Sequence, residues 1–343
     1  MEIRVHPVGS PEDLAFDDVV TVPQAIDLEL DPSDPPTPRG ELAGRWFAPA
    51  PDRRMHVWLA TMDGTAVGAA VSEQELDGVN DAVAALDAMT DPAWRQRGVA
   101  TELVHAALPV LAADGVTSLV GWTPTEAGAA FCAALGMTHR SDERCSRLRV
   151  ADVDARQQQR WIDDGAVSAP GYRLEGWVGV VGDEWIEPLA EALAAMVDKP
   201  LDEVDWQPQA LTPARVRERE RSWGRMGYDT VTSLALAPDG TGAGASQILV
   251  SRLRPPIGVQ ADTGAVAHHR GHRLGRWLKA ANLRRAREHQ PALEMLETYN
   301  AESNPYMLAI NVDMGYCPHR VYGSYQGGIA AARTALGARA ATT

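Results

Sequence analysis

Two stretches of this chain repeat one another at a fixed distance, and that spacing constrains the fold more than any other feature. Trp94–Ala100 reads WRQRGVA and Arg270–Gly275 reads RGHRLG, and their leading arginines, Arg95 and Arg270, lie 175 residues apart (270 − 95). Asp87 and Asp262, each eight residues earlier, keep the same offset. In both copies a short apolar run leads into a basic, glycine-bearing turn that opens a helix. Val99, Leu103, Ala106 and Val110 share one face of the first helix, and Leu274, Leu278 and Ala281 one face of the second. A repeat of this kind fixes the architecture before anything else is read. One supersecondary unit is used twice, in a chain of 343 residues that is long enough for two domains of ordinary size.

The repeated turn has the physics of an anion site. Backbone N–H groups in the first turn of a helix lack partners inside the helix, and the helix dipole adds partial positive charge there. Glycines such as Gly98, Gly271 and Gly275 let the backbone come close to a diphosphate.

These residues resemble the phosphate loop of the GNAT acyl-CoA transferases, Arg/Gln-x-x-Gly-x-Gly/Ala between the fourth strand and third helix of that family. Arg95, Gly98 and Ala100 match it fully, with Pro92 ahead of them; the second copy has Arg270 and Gly275, but Arg273 in place of the middle glycine. The resemblance covers nearly the whole chain. It implies an α/β fold of two tandem GNAT domains, each a mixed, mostly antiparallel sheet flanked by helices. It also implies acetyl-CoA or another acyl-CoA as cosubstrate, and no metal. The loop residues it assigns to CoA are Arg95, Gln96, Arg97, Gly98, Val99 and Ala100, and then Arg270, Gly271, His272, Arg273, Leu274, Gly275 and Arg276. Backbone groups on the strand before each loop would hold the pantetheine, at Ala88 and Thr90 and at Thr263 and Ala265.

The family's second signature is an asparagine after the fifth strand, a tyrosine seven residues on, and then Gly-Phe. The second half offers Asn304, Asn311, Gly315 and Tyr316; the first offers Thr125, Cys132, Gly136 and Met137. The tyrosine, which protonates the departing thiolate, is therefore replaced in both halves. On this pattern the second half is expected to be the catalytic one. Asp262 is its candidate base, Asn311 stands in the acid's place, Asn304 belongs to the CoA side, and Glu297 and Glu302 are reserve carboxylates. Asp87 has the same claim in the first half, which is expected to be CoA-binding or structural. Tyr299, Tyr306 and Tyr316 are substitutes for the acid or core residues. Asp198, Asp202, Glu203 and Asp205 would attract a cation near the acceptor.

The remaining pattern supports a duplicated order of elements. Asp63-Gly64 and Asp239-Gly240 mark hairpin turns. Pro11–Leu28 reads as a helix or helix pair broken at Pro23, Asp31–Pro38 as a loop, and Thr212-Pro213 as a helix start. Expected boundaries are 1–150 for the first domain, 151–171 for a linker with a polar helix, 172–326 for the second domain, and 327–343 for a fraying tail.

Composition narrows the function. A net charge of −14 disfavours nucleic-acid and anionic-membrane partners, and 45% hydrophobic content supports packed cores. The three cysteines show no metal or disulfide spacing, which fits a reducing cytoplasm. No apolar run reaches membrane-spanning length. Arginine far outnumbers lysine, as in high-GC actinobacterial genes. The expected activity is N-acyl transfer, acetyl or another short acyl, to a primary amine of a small molecule such as an antibiotic or secondary metabolite. The alternatives are a non-catalytic acyl-CoA-binding protein and an aminoacyl-tRNA-dependent transferase of related fold.

Overall fold

A computed structural model describes residues 2–194, 205–207, 209 and 211–340. Of the acidic run expected near the acceptor, Asp198, Asp202 and Glu203 lie outside these residues. The chain forms two compact units, the described parts of Met1–Ser141, Asp202–Gln207 and Tyr322–Thr343, and of Asp142–Leu201 and Pro208–Val321.

The first unit runs β1 (Ile3–Val8), α1 (Leu14–Leu30), α2 (Arg39–Phe47), β2 (Arg53–Met62), β3 (Thr65–Glu75), β4 (Val83–Thr90), α3 (Val99–Ala113), β5 (Ser118–Thr123) and α4 (Glu126–Ala134), and ends in the opening residues of β6 (Thr138–Arg149). In the second unit come the rest of β6, then α5 (Ala155–Ser168), β7 (Arg173–Val178), α6 (Ile186–Ala194), α7 (Pro213–Arg225), β8 (Tyr228–Leu236), β9 (Gly242–Ser251), β10 (Ile257–Ala265), α8 (Leu274–His289), β11 (Met295–Ala301), α9 (Pro305–Met314) and the opening of β12 (Cys317–Gly328). The last part of β12 and α10 (Ile329–Ala340) return to the first unit.

Strand order is β1-β2-β3-β4-β5-β12 in the first unit and β6-β11-β10-β9-β8-β7 in the second. Neighbours are antiparallel except β4 with β5 and β10 with β11, which are parallel. The first unit therefore draws its final strand from the far end of the chain: Gly323–Gly328 pairs with Ser118–Thr123 of β5. In the second unit the corresponding place beside β11 is filled by Glu143–Arg149 of β6.

Alternation along the strands gives each sheet two buried faces. In the first unit Trp58, Ala70 and Ala84 pack under α3, with Leu103, Val104 and Leu108, while Val57, Leu59 and Val71 pack under α1 and α2, with Phe16, Val19 and Leu42. In the second unit Val231 and Ile248 lie under α8, and Leu234 and Ala245 under α6 and α7. The Asp63-Gly64 turn forms as expected, both residues having positive φ. Thr212 caps α7 by accepting a hydrogen bond from the Arg215 N–H.

Three expectations are corrected. Pro23 does not break α1; it sits inside one continuous helix and is buried in the core, where packing offsets the hydrogen bond it cannot donate. Residues 155–168 do not link two domains. They form α5, which packs within the second unit, Gly165 lying so close to the Trp277 ring that any Cβ there would collide with it. The described part of the expected fraying tail, residues 327–340, completes β12 and forms α10. Alanine favours helix, and Ile329, Ala332 and Leu336 recur on one face and enter the core beside Leu108.

Candidate acyl-transfer sites

Both units open a wedge at the same place. In the first, β4 and β5 pair only at Val83–Ala85 with Ser118–Val120, and beyond that the strands part. In the second, β10 and β11 pair at Ile257–Gln260 with Met295–Thr298 and then part. Past these points the facing edge of β4 and of β10 has no strand partner across the wedge, so its N–H and C=O groups can bind an extended ligand. Ala88, Thr90, Thr263 and Ala265 all lie on this stretch. The second wedge has one extra feature: β10 carries a bulge between Gln260 and Thr263, whereas the β3–β4 register is continuous. Asp262 lies within that bulge.

The turn after each strand opens a helix that no side chain caps, so the first-turn N–H groups are available to an anion. Both turns need two left-handed residues and solve the problem in opposite ways. The first uses Gln96 (φ 60) and Gly98 (φ 85); the second uses Gly271 (φ 90) and Arg273 (φ 57). Each turn thus holds one glycine and one residue for which that conformation costs about 1–2 kcal/mol. Space beside Gly98 and Gly271 is open, with no atom within 4 Å of a Cβ built there. Such room suits a bulky diphosphate.

Side chains dress the two turns differently. Arg95 is held by Glu29 of α1 through paired hydrogen bonds of 2.7 and 2.5 Å, and Arg97 lies over the Trp94 ring. Around the second turn, Tyr172 Oη lies 2.9 Å from His269 Nδ1 and the His268 and His269 rings are 4.1 Å apart. Burial and the neighbouring His268 hold the His269 pKa below its usual value. Leu274 is buried, Gly275 faces Ile310, and Arg276 pairs with Asp313.

The floor of each wedge separates the halves further. Asp87 follows Ala85 by two residues and so lies on the face covered by α1 and α2. No hydrogen bond or ion pair to its carboxyl is found among the described residues. The side chain is reached by solvent, yet its pKa is raised to about 6 by desolvation, against the opposing pull of Arg45, with Glu73 adding to the rise. Exposure alone would leave an ordinary carboxylate; the crowding around it decides, and the two together describe a carboxyl at the floor of an open recess. Cys132 on α4 is half-buried, and its thiol is pushed up, mainly by burial and also by the charge of Asp87.

In the second half the expected catalytic residues are engaged elsewhere. Asp262 Oδ2 accepts from Arg219 Nη1 at 2.6 Å, and the same guanidinium reaches Gln247 Oε1 at 2.6 Å. Glu297 is held by Arg147 at 2.5 Å, and Glu302 by Arg144 through two 2.6 Å bonds. Asn311 is buried and donates to Asn300 Oδ1 at 2.7 Å. Asn304 caps α9, accepting from the Met307 N–H, as Thr125 caps α4. Tyr316 is buried in the core, and its pKa is raised by that burial. Tyr306 is exposed, and Tyr299 donates to Glu297. Sequence reasoning singled out the carboxylates but missed the arginines that hold them, Arg144, Arg147 and Arg219, which come from distant parts of the chain. It also missed Trp122. Among the described residues no cluster could hold a metal ion, and no helix is long and apolar enough to cross a membrane.

Comparison with known proteins agrees with this geometry. Residues 23–137 match the model of the Acetyltransferase (GNAT) family. That match covers about a third of the chain, and the chain as a whole shares its fold with a tandem GNAT protein. It is similar to a tandem GNAT protein from the clavulanic acid biosynthesis pathway, with a TM-score of 0.77 and 22% identity over 96% of this chain and 99% of that one. A GCN5-related N-acetyltransferase from Sphaerobacter thermophilus aligns with a TM-score of 0.64 and 13% identity, over 95% and 96% of the two chains. A putative acetyltransferase from Pyrococcus horikoshii aligns at 0.55 and 13%, over 95% and 89%. No curated protein sequence matches the chain.

Proposed function

We propose that this protein moves an acetyl or other short acyl group from acyl-CoA to a primary amine of a small molecule, and that transfer takes place in the first half. The observation that carries this reading is Asp87: an accessible carboxyl with a pKa near 6, beside a wedge and an intact phosphate loop. A general base works best when its pKa lies near the working pH.

Acyl-CoA supplies the activated acyl group; the chain supplies position and a proton acceptor. The uncapped start of α3 and the Arg95–Ala100 turn bind the diphosphate. The free edge of β4 at Ala88 and Thr90 aligns the extended arm. Asp87 takes one proton from the acceptor ammonium and so frees the nitrogen lone pair; the nitrogen then forms the C–N bond as the C–S bond breaks, and its second proton passes to water. A thiol of pKa about 8.5 is a fair leaving group and collects its proton from water. Cys132, with its pKa raised, keeps its own proton and is a poor acid for this step.

The second half binds acyl-CoA without turning it over, in this proposal. Its wedge and basic turn support binding, and the ion pairs of Asp262, Glu297 and Glu302 speak against proton transfer there. The free cysteines suit a reducing cytoplasm.

The test is release of free CoA thiol from acetyl-CoA over a panel of amines. The panel includes aminated secondary metabolites, because one similar structure comes from the clavulanic acid pathway. Turnover with an amine is the expected result. Tight acyl-CoA binding with no thiol release from any amine would make the protein a non-catalytic acyl-CoA binder.

A further inference from the structure

Trp122 is a large aromatic residue with no role in the core. It stands at the end of β5 and is 46% exposed. Its position follows from register. Ala85 pairs with Val120 across the parallel strands, so both side chains point to the α1–α2 face. Asp87 and Trp122 each lie two residues further on, and both therefore point to that same face. The strands have parted by then, so a gap opens between them. One wall of the gap carries a carboxylate and the other an indole.

The surroundings fit a particular guest. Opposite Trp122 on β12 stands Ser324, buried and hydrogen-bonded to Ser141, and next to it lies buried Val120. The charges nearest the Asp87 carboxyl are Arg45, which also bonds Glu41, and Glu73, which is paired with Arg53. The equivalent aromatic of the second half, Tyr299, is tied by its hydroxyl to Glu297 at 3.1 Å, and that carboxylate is tied in turn to Arg147. Only the first half leaves its aromatic and its carboxylate both open among the described residues.

We propose that Trp122 and Asp87 form the two sides of an acceptor cradle that selects a primary ammonium carried on an apolar skeleton. The inference rests on the acyl-transfer reading and names the acceptor class for it. The indole face attracts the arriving cation and packs its carbon chain. Asp87 then meets the nitrogen from the other side. An acceptor with a carboxylate beside its amine would bring that charge against Asp87 and is disfavoured.

The experiment measures acetyl transfer to hexylamine, 2-phenylethylamine and glycine, with the acceptor KM, the acetyl-CoA KM and kcat determined separately. In the unaltered protein the first two are expected to turn over and glycine to lag at least tenfold in kcat/KM; a preference for glycine overturns the proposal. Trp122→Leu keeps apolar bulk but removes the ring face. It is expected to raise the acceptor KM about tenfold with kcat and the acetyl-CoA KM unchanged, and Trp122→Phe to recover most of the loss. An unchanged acceptor KM in Trp122→Leu, with turnover still lost in Asp87→Asn, overturns the cradle and leaves the acyl-transfer reading standing. Absence of turnover with every amine defeats both. Should Trp122→Leu fail to fold by circular dichroism, Trp122→Phe and Trp122→Tyr carry the test, since a merely structural role would not track ring character in the acceptor KM alone.

Discussion

The two halves share a scaffold and differ in what they leave unattached. Both have the wedge, the uncapped helix and a turn built on two left-handed residues. In the first half the carboxylate at the wedge floor, Asp87, has no partner among the described residues and a pKa near 6. In the second half Asp262, Glu297 and Glu302 each hold an arginine. An arginine bonded at 2.5–2.6 Å occupies the oxygens that a substrate ammonium would need. Duplication of a fold therefore does not duplicate its chemistry, and the difference lies in side chains that neighbouring elements add.

The contrast breaks most directly at the two aspartates. Asp87→Asn is expected to lower kcat by about 10²- to 10⁴-fold with little change in acyl-CoA binding. Asp262→Asn, in folded protein, is expected to stay within a few-fold. Thiol-release kinetics on both variants would settle it, and the reverse ranking would move catalysis to the second half.

A second expectation concerns the loops. Gly98→Glu sets a carboxylate and a Cβ in a left-handed residue at the diphosphate site, and calorimetry should lose one of up to two CoA sites per chain. Binding that is unaltered would remove the first loop from the account.

The pH dependence sharpens the comparison further. A base that must be ionised makes kcat/KM climb about tenfold per pH unit below 6 and level off above it, and Asp87→Asn should lose this limb. Stability moves the other way. The folded-state pKa of about 6 exceeds the usual 3.8, so the neutral carboxyl favours the folded state. That contribution is present below pH 4 and lost as pH rises through 6. Melting temperatures of the wild type and Asp87→Asn should therefore agree near pH 4 and separate by pH 7, with the variant melting higher.

The smallest effect is at Arg273. Replacing it with glycine removes the left-handed penalty and should stabilise the protein by about 1 kcal/mol, read as a small rise in the denaturation midpoint.

Much of the architecture was legible in the chain. The 175-residue offset, the Asp-Gly hairpins and the Thr212 cap are local signals, and each appears where the residues indicate. The two turns were legible for the same reason, since a glycine-bearing turn that opens a helix is written in six consecutive residues. The state of the carboxylates was not. Arg219 lies 43 residues from Asp262, Arg147 lies 150 from Glu297 and Arg144 lies 158 from Glu302, so only the folded chain reveals those pairs. Asn304 caps α9, and a helix cap and a ligand contact draw on the same residue type at the same position. The fate of the alanine-rich end was missed because composition alone does not say whether a helix finds a surface to pack on.

The placement of β12 has a consequence for how the protein is made. When β5 leaves the ribosome its partner at Gly323–Gly328 has yet to be translated. At 5–20 residues per second that partner arrives roughly 10–40 s later. Until then the nascent first unit presents an open strand edge and lacks Ile329, Ala332 and Leu336 from its core. Its native state is reached only once Gly323–Leu336 has been made.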